Sequence, residues 1–161
     1  MVLPSMRLDD KVVLVPGAGS GIGRACAIAA AESGAHVVPC ELPECVGDLD
    51  DVCDEIEKLG RKSLPVELQL PEAASIEAAV GRVVAEMERI DVLVNNAGVN
   101  VPSEAFDVTE QDWDAVMDVN LKGLFFMSQA VGRRMRESGG GKIVNMASQN
   151  GVIGYYRRAA Y

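Results

Sequence analysis

The first residues suited to chemistry form a glycine-rich turn, PGAGSGIG, at positions 16–23. The turn follows an apolar run and precedes a helical pattern, so its glycines let the backbone approach a pyrophosphate at a helix N-terminus. The spacing is G-x-x-x-G-x-G, not the commoner G-x-G-x-x-G, and a plain tight turn could use the same glycines. Its strand–turn–helix setting nevertheless predicts nucleotide binding. The residues expected to contact the nucleotide are Gly17, Ser20, Gly21, Ile22 and Gly23.

An acidic residue, Glu41, lies at the end of the second predicted strand, 18 positions after Gly23. A carboxylate there can accept hydrogen bonds from both ribose hydroxyls of NAD, and it would repel the 2′-phosphate of NADP. The position therefore favours NAD over NADP. The alternative is that Glu41 is a surface residue of the acidic stretch ELPE, in which Glu44 lies close by.

Polar residues also follow the fourth and fifth predicted strands. NNAG, at 95–98, could hold a loop against a flat ligand, although it could equally be a turn. Asn120 lies on the buried stripe of a helix, so its amide is either bonded to neighbouring backbone or part of a polar site. Ser148 ends the fifth strand. The NNAG residues expected to contact a ligand are Asn95, Ala97 and Gly98.

Apolar runs that alternate with helical patterns must position these residues. Parallel strands joined by helices predict an α/β fold, a Rossmann-like doubly wound sheet of about five strands in one domain over 1–161, with ligands at the carboxyl ends of the strands. Pro65 suggests that the third strand lies at an edge. Thr109 and Asp112 resemble a capping box that opens a long helix through Leu124. The predicted strands are 11–16, 35–40, 62–68, 90–95 and 141–148, and the other helices are 21–33, 46–59 and 76–87.

Composition excludes several classes of protein. Hydrophobic residues make up 48% and charged residues 24%, which is typical of a globular domain, and a formal charge of −9 argues against nucleic-acid binding. The N-terminal segment lacks the apolar core of a signal peptide, and no apolar run reaches about 18 residues. Four cysteines without a C-x-x-C pair, and a single histidine, His36, argue against a metal site and histidine catalysis. We therefore expect a cytoplasmic, soluble protein.

The ordered set of GAGSGIG, NNAG, Asn120 within VMDVNLKGLFF and Ser148 within GKIVNMAS resembles the short-chain dehydrogenase/reductase family. The resemblance extends from about residue 9 to 161. Tyr161, 13 positions after Ser148, matches the catalytic tyrosine of that family, whereas Tyr155 and Tyr156 match neither its spacing nor its motif.

The resemblance implies an oxidoreductase that transfers a hydride between NAD(P) and a ketone or secondary alcohol. Tyr161 would exchange a proton with the reacting oxygen, Ser148 would hydrogen-bond that oxygen, and Asn120 would support a bound water. Gln69 stands where an aspartate commonly bonds the adenine, and its amide is expected to contact the base instead. Pro16 replaces a threonine that helps tie the glycine turn to the sheet. Both changes are expected to weaken cofactor affinity without abolishing it. Family members often form homodimers or homotetramers.

The family's motif also places a lysine four residues after the tyrosine, beyond the last residue of this sequence. We therefore expect the chain to be truncated at its C-terminus, with its fifth strand left as an apolar edge. One alternative is a nucleotide-binding remnant without catalysis. Another is a methyltransferase-like Rossmann domain, which gives no reason for NNAG, Asn120 and Ser148 together.

Overall fold

The predicted α/β fold is confirmed by the computed structural model, which describes residues 6–161. Residues 1–5, part of the segment used to argue against a signal peptide, lie outside the described residues. The strands are β1 (Val12–Pro16), β2 (His36–Glu41), β3 (Val66–Glu67), β4 (Val92–Asn95) and β5 (Lys142–Asn145). The α-helices are α1 (Gly21–Glu32), α2 (Asp50–Lys58), α3 (Ala73–Met87), α4 (Glu110–Met117) and α5 (Leu124–Glu137). Short 3-10 turns cover Pro43–Leu49 and Gln149–Gly151, and a π-helical turn covers Asp118–Gly123.

All five strands form one parallel sheet in the order β3-β2-β1-β4-β5. The register pairs Pro16 with Cys40 and Asn95 with Asn145, so the strands end together at one edge of the sheet. The third strand is an edge strand, as expected, but it is only two residues long and not the predicted 62–68. The sheet therefore brings the ends of β1, β2, β4 and β5 to one crevice.

Helices cover both faces of the sheet, as a doubly wound fold requires. One face packs against α3 and α5, and the other against α1 and α2. Helix α1 contributes Ala27, Ala30 and Ala31, whose small side chains allow the helix to lie close to the strands. Within residues 6–161, no helix is long and apolar enough to cross a membrane.

Two of the four cysteines and the single histidine stabilise the fold. Cys40 and Cys53 are buried in the core, and burial raises the pKa of both thiols. His36 starts β2, and its Nδ1 accepts a hydrogen bond from the Lys62 N–H at 3.0 Å. Burial, followed by the positive charges of Arg61 and Lys62, lowers the pKa of His36. His36 therefore ties β2 to the segment before β3, at the end of the sheet away from the crevice.

The predicted capping box of α4 is confirmed. Thr109 Oγ1 accepts a hydrogen bond from the Asp112 N–H at 3.1 Å, and Asp112 Oδ2 accepts one from the Thr109 N–H at 3.2 Å. The long helix expected after this cap is instead interrupted between α4 and α5 by the π-helical turn. A π-helical turn is wider than an α-helical one, and such turns within helices often occur at functional sites. This one contains Asn120.

Candidate active site

A cleft of about 400 Å³ opens at the carboxyl ends of β1, β2 and β4. The glycine turn forms its floor, Glu41 and Leu42 form one side, and the loop after β4 forms the other. Of the five residues of the turn predicted to contact a nucleotide, Gly17, Ser20, Gly21 and Ile22 line the cleft, and Gly23 does not.

The glycine turn needs its glycines for two different reasons. Gly17 and Gly21 have φ angles of +71° and +55°, a region that L side chains rarely adopt. Gly23 has no such angle, but a Cβ at this position would lie 2.0 Å from the Gly17 carbonyl oxygen. Helix α1 therefore starts in contact with the turn only because residue 23 has no side chain.

The turn is tied to the sheet despite Pro16. The N–H groups of Gly17 and Ala18 both donate to the Cys40 carbonyl, at 2.8 Å and 3.0 Å. The Asn96 side-chain amide donates to the Gly17 carbonyl at 3.0 Å and to the Pro16 carbonyl at 3.3 Å. Hydrogen bonds to β2 and from the loop after β4 thus hold the turn against the sheet, in place of those that the threonine was expected to provide.

The carboxylate of Glu41 is fixed beside the turn. Its Oε2 accepts a hydrogen bond from the Gly19 N–H at 3.2 Å, and its Oε1 accepts one from the Leu42 N–H at 3.1 Å. Each oxygen keeps a second lone pair for another donor. Glu41 is therefore a held acceptor in the cleft wall and not a freely moving surface residue.

The start of α1 offers donors to the same cleft. Ser20 is the N-cap residue, and within the described part of the chain its side chain makes no capping hydrogen bond. The N–H groups of the first turn of a helix have no partners within the helix, and they attract negative charge. These open donors, the bare glycine turn and the Glu41 acceptor fit the pyrophosphate and ribose of a dinucleotide.

Asn95 and Asn96 have different positions, which the sequence did not distinguish. Asn95, expected to contact a ligand, is 5% exposed and does not line the cleft. Its amide donates to Ser128 Oγ at 2.8 Å and to Asn145 Oδ1 at 2.9 Å, which links β4 to α5 and β5. Because successive residues of a strand point to opposite sides, Asn96 lines the cleft and Asn95 does not.

Gln69 is not brought into the cleft. Its side chain is exposed, and its amide donates to Glu72 Oε1 at 3.2 Å. Its neighbours Leu68 and Leu70 line the cleft instead, together with Leu42. These three leucines, which sequence reasoning missed, provide an apolar wall suited to a flat aromatic base. The apolar residues flanking Gln69 were the only signal for them.

A second cavity, of about 320 Å³, adjoins the first. Ser148, Tyr161 and Asn120 all line it, so the three predicted catalytic residues share one space. Its remaining wall includes four residues that also line the first cleft, namely Ile22, Asn96, Ala97 and Gly98. The two cavities therefore adjoin and form one crevice, and these four residues, the shared wall, line both of them.

The sequence left two alternatives for the Asn120 amide, a bond to neighbouring backbone or a place in a polar site, and the structure shows both. Its Oδ1 accepts a hydrogen bond from the Val99 N–H and its Nδ2 donates to the Val99 carbonyl, both at 2.8 Å. The same amide faces the second cavity. The side chain thus fixes the loop after β4, and Gly98 gives it space, since a Cβ at residue 98 would lie 3.2 Å from Asn120 Oδ1.

Ser148 and Tyr161 lie at the two ends of the segment after β5. Ser148 Oγ accepts a hydrogen bond from the Asn150 N–H at 3.1 Å, which caps the 3-10 turn Gln149–Gly151. Tyr161 is 43% exposed, so its phenol can reach solvent as well as the cavity. Tyr155 and Tyr156 are more exposed and do not line this cavity, as expected.

Known proteins resemble the chain over nearly its whole length. A family model described as short chain dehydrogenase matches residues 11–161. The chain is 42% identical over 154 residues to an NAD-dependent glycerol dehydrogenase of Listeria innocua, covering 96% of this chain and 59% of that protein. It is 41% identical over 167 residues to a D-threitol dehydrogenase of Mycolicibacterium smegmatis, with the same coverage of 96% and 59%.

Solved structures give the same picture. A short-chain type dehydrogenase/reductase from Mycobacterium marinum superposes with a TM-score of 0.92 at 31% identity, covering 97% of this chain and 62% of that one. An NAD⁺-bound xylitol dehydrogenase superposes with a TM-score of 0.90 at 31% identity, covering 95% and 58%. The chain thus spans about three fifths of the length of these relatives.

Proposed function

The chain belongs to the short-chain dehydrogenase/reductase family, and from that premise we propose that the protein is an NAD-dependent oxidoreductase that interconverts a secondary alcohol and a ketone. The observation that carries the proposal is the shared wall between the two cavities. Because the residues of this wall line both cavities, a nicotinamide bound in the first can lie directly beside a carbon held by the hydroxyl groups of the second, as hydride transfer requires.

In this proposal the first cleft holds the dinucleotide. The N–H groups of the glycine turn and of the start of α1 bind the pyrophosphate, and the leucine wall contacts the adenine. Glu41 accepts hydrogen bonds from the adenosine ribose, which favours NAD because a 2′-phosphate would meet a fixed carboxylate. When bound, nicotinamide supplies the hydride chemistry, since it accepts a hydride from the carbinol carbon or returns one to the carbonyl carbon.

Tyr161 and Ser148 would handle the proton. During oxidation the alcohol O–H bond breaks and its proton passes to the oxygen of Tyr161 in its phenolate form, while the C–H bond breaks and its electron pair leaves with the hydride. During reduction Tyr161 donates the proton to the new alkoxide oxygen. The Ser148 hydroxyl hydrogen-bonds the reacting oxygen throughout and fixes it beside the shared wall. The presence of Ser148 and Tyr161 in one cavity supports these two roles.

Asn120 would act as a positioning residue. Its two hydrogen bonds with Val99 hold the loop that separates the cavities, so the shared wall keeps its shape. The amide keeps one further donor and one further acceptor site, which could bind a water that connects Tyr161 to solvent.

The substrate class is proposed from the named relatives. The glycerol, D-threitol and xylitol enzymes carry the names of small polyols. The second cavity, at about 320 Å³ with both polar and apolar walls, suits a molecule of that size. We therefore assign a small polyhydroxylated alcohol or its ketone as substrate.

A coupled pair of measurements tests the proposal. The purified full-length protein is titrated with NAD and NADP by calorimetry, and NADH formation is followed with a panel of alditols. We expect NAD to bind more tightly than NADP and at least one alditol to be oxidised. NAD binding without turnover of any alcohol would favour a cofactor-binding protein without catalysis, and the absence of NAD binding would overturn the proposal.

A further inference from the structure

A third concavity, of about 360 Å³, lies beside the candidate catalytic cavity. It is formed between the loop after β4 and the segment that leads to Tyr161. Its polar lining includes Ser103, Glu104, Asn150, Arg157 and Arg158. None of these residues takes part in the function proposed above.

The two loops that form this concavity are joined to each other. Ser103 and Arg158 form a parallel β-bridge, and Arg157 Nη2 donates to the Pro102 carbonyl at 3.2 Å. Arg157 has a φ angle of 57°, which is uncommon for a residue with a side chain. The concavity is therefore built by specific backbone and side-chain contacts and is not merely a gap between loose loops.

The charges in the concavity are unbalanced. The Glu104 carboxylate lies 3.9 Å from the Arg157 guanidinium, and a hydrogen bond to Glu104 raises the pKa of Tyr156. Among residues 6–161, no carboxylate lies within 4.0 Å of the Arg158 guanidinium, and Arg158 as a whole is partly buried. One positive charge thus remains, on a chain whose formal charge is −9.

Arg158 is also close in the chain to the reacting groups. The Tyr161 N–H donates to the Arg158 carbonyl at 3.3 Å, so one turn of backbone joins them. The 3-10 turn after Ser148 serves both spaces, since Gly151 lines the catalytic cavity and Asn150 lines the third concavity. The third concavity therefore borders the catalytic cavity along this turn.

We propose that Arg158 is a specificity-determining residue that binds an acid group on the substrate, so that among polyhydroxylated alcohols those carrying an acid group are preferred over the neutral alditols of the same configuration. This inference rests on the function proposed above and narrows its substrate class. A planar guanidinium binds the paired oxygens of a carboxylate or a phosphate ester, and Asn150 and Ser103 offer further hydrogen bonds to either.

The test compares matched ligands on matched variants of the full-length protein. The ligands are four- to six-carbon aldonates, the alditols of the same configuration and the corresponding alditol phosphates. The variants are Arg158→Gln, Arg158→Lys and, as a control, Arg136→Gln, which removes an exposed arginine of α5 that lines none of the three cavities. Both kcat/KM with NAD and the ligand dissociation constant in the presence of NADH are measured.

We expect the acid-to-alditol ratio of kcat/KM to fall about 10- to 100-fold in Arg158→Gln, the range for a hydrogen bond between charged groups. Arg158→Lys should restore part of the ratio, and Arg136→Gln should leave it as in the wild type. The aldonate and phosphate arms show which acid group is bound.

Two results would overturn the inference: turnover of alditols with no preference for acids, or an acid preference that survives Arg158→Gln. The first of these would leave the proposed oxidoreductase function standing. If no ligand is turned over but acids bind more tightly than alditols, and only in the presence of Arg158, the acid site is supported and the oxidoreductase function fails.

Discussion

The two edges of the crevice are built in different ways. On the cofactor side, all five residues of β1 are buried, and the strand has a neighbour on each side. On the reacting side, and within residues 6–161, all four residues of β5 are exposed and β5 is an edge strand. Ser148 and Tyr161 follow β5 in a segment that contains only a short 3-10 turn.

The two sides therefore differ in what holds their side chains in position: packing of buried strands on the cofactor side and individual hydrogen bonds on the reacting side. The glycine turn and Glu41 rest on buried strands, so the hydrophobic core holds them in place. In the part of the chain that the structure describes, hydrogen bonds help to position the reacting groups, such as the pair between Asn120 and Val99 and the bond that Ser148 accepts from the Asn150 N–H. Changes on the cofactor side should therefore affect binding and stability, whereas changes on the reacting side should affect turnover.

The largest expected effect is on turnover. Tyr161→Phe removes the proton-transferring oxygen and should lower kcat for alcohol oxidation by about 100- to 10,000-fold. NAD affinity should change little, because Tyr161 does not line the first cleft. Steady-state kinetics and NAD calorimetry on the same preparation measure both. Tyr156→Phe is the control, and an equal loss of kcat there would count against the role of Tyr161.

The next largest effect concerns the glycine turn. Gly23→Ala places a Cβ 2.0 Å from the Gly17 oxygen, so the turn must shift. We expect NAD affinity to fall by about 100-fold, which corresponds to the loss of one or two hydrogen bonds to the charged pyrophosphate. Gly81→Ala in α3 is the matched control, since a Cβ there meets nothing within 4 Å. Unchanged NAD binding in Gly23→Ala would remove the turn from the cofactor site.

A smaller effect is expected for cofactor preference. Glu41→Gln removes the fixed charge and should reduce the preference for NAD over NADP by about fivefold, which corresponds to about 1 kcal/mol, the upper end for one ionic interaction near the surface. Dissociation constants for both cofactors provide the ratio. Glu44→Gln changes the nearby exposed glutamate and should leave the ratio as it is. If both variants shift it equally, only general surface charge is responsible.

The remaining effect is on stability and lies away from the crevice. Asp91 precedes β4, and its Oδ2 accepts a hydrogen bond from the Val12 N–H at 3.0 Å. Burial alone would raise the pKa of Asp91, but that hydrogen bond, another from Arg89 and the charges of Arg89 and Lys11 outweigh it, so the pKa is lowered. The carboxylate therefore stabilises β1 against β4 when it is ionised.

We expect Asp91→Asn to lower the free energy of unfolding by about 1–3 kcal/mol at neutral pH. Because the folded pKa lies below the unfolded one, this difference should persist above about pH 4 and shrink as the pH falls further. Urea unfolding at several pH values measures it, with Asp54→Asn in α2 as control. A difference that grows towards acid pH would reverse the assigned sign.

The sequence predicted the features that local chemistry determines. The glycine turn, Glu41 and the capping box at Thr109 depend on residues close together in the chain, and each occurs where it was expected. The grouping of Ser148, Tyr161 and Asn120 followed from the family resemblance, and the three side chains line one cavity.

Other features depend on packing that a sequence does not display. Whether Asn95 or Asn96 faces the cleft depends on how β4 sits in the sheet at its last residue. Gln69 points away because Leu68 and Leu70 take the inner positions. The π-helical turn at Asn120 interrupts an apolar pattern that reads as one continuous helix. The concavity beside Arg158 arises only where two loops meet.

The most direct test of the account is a crystal structure of the full-length protein with NAD. The account predicts the adenosine ribose at Glu41, the pyrophosphate on the glycine turn, and the nicotinamide across the shared wall, facing Ser148 and Tyr161. A dinucleotide bound elsewhere, or one whose nicotinamide end lies away from Ser148 and Tyr161, would contradict it.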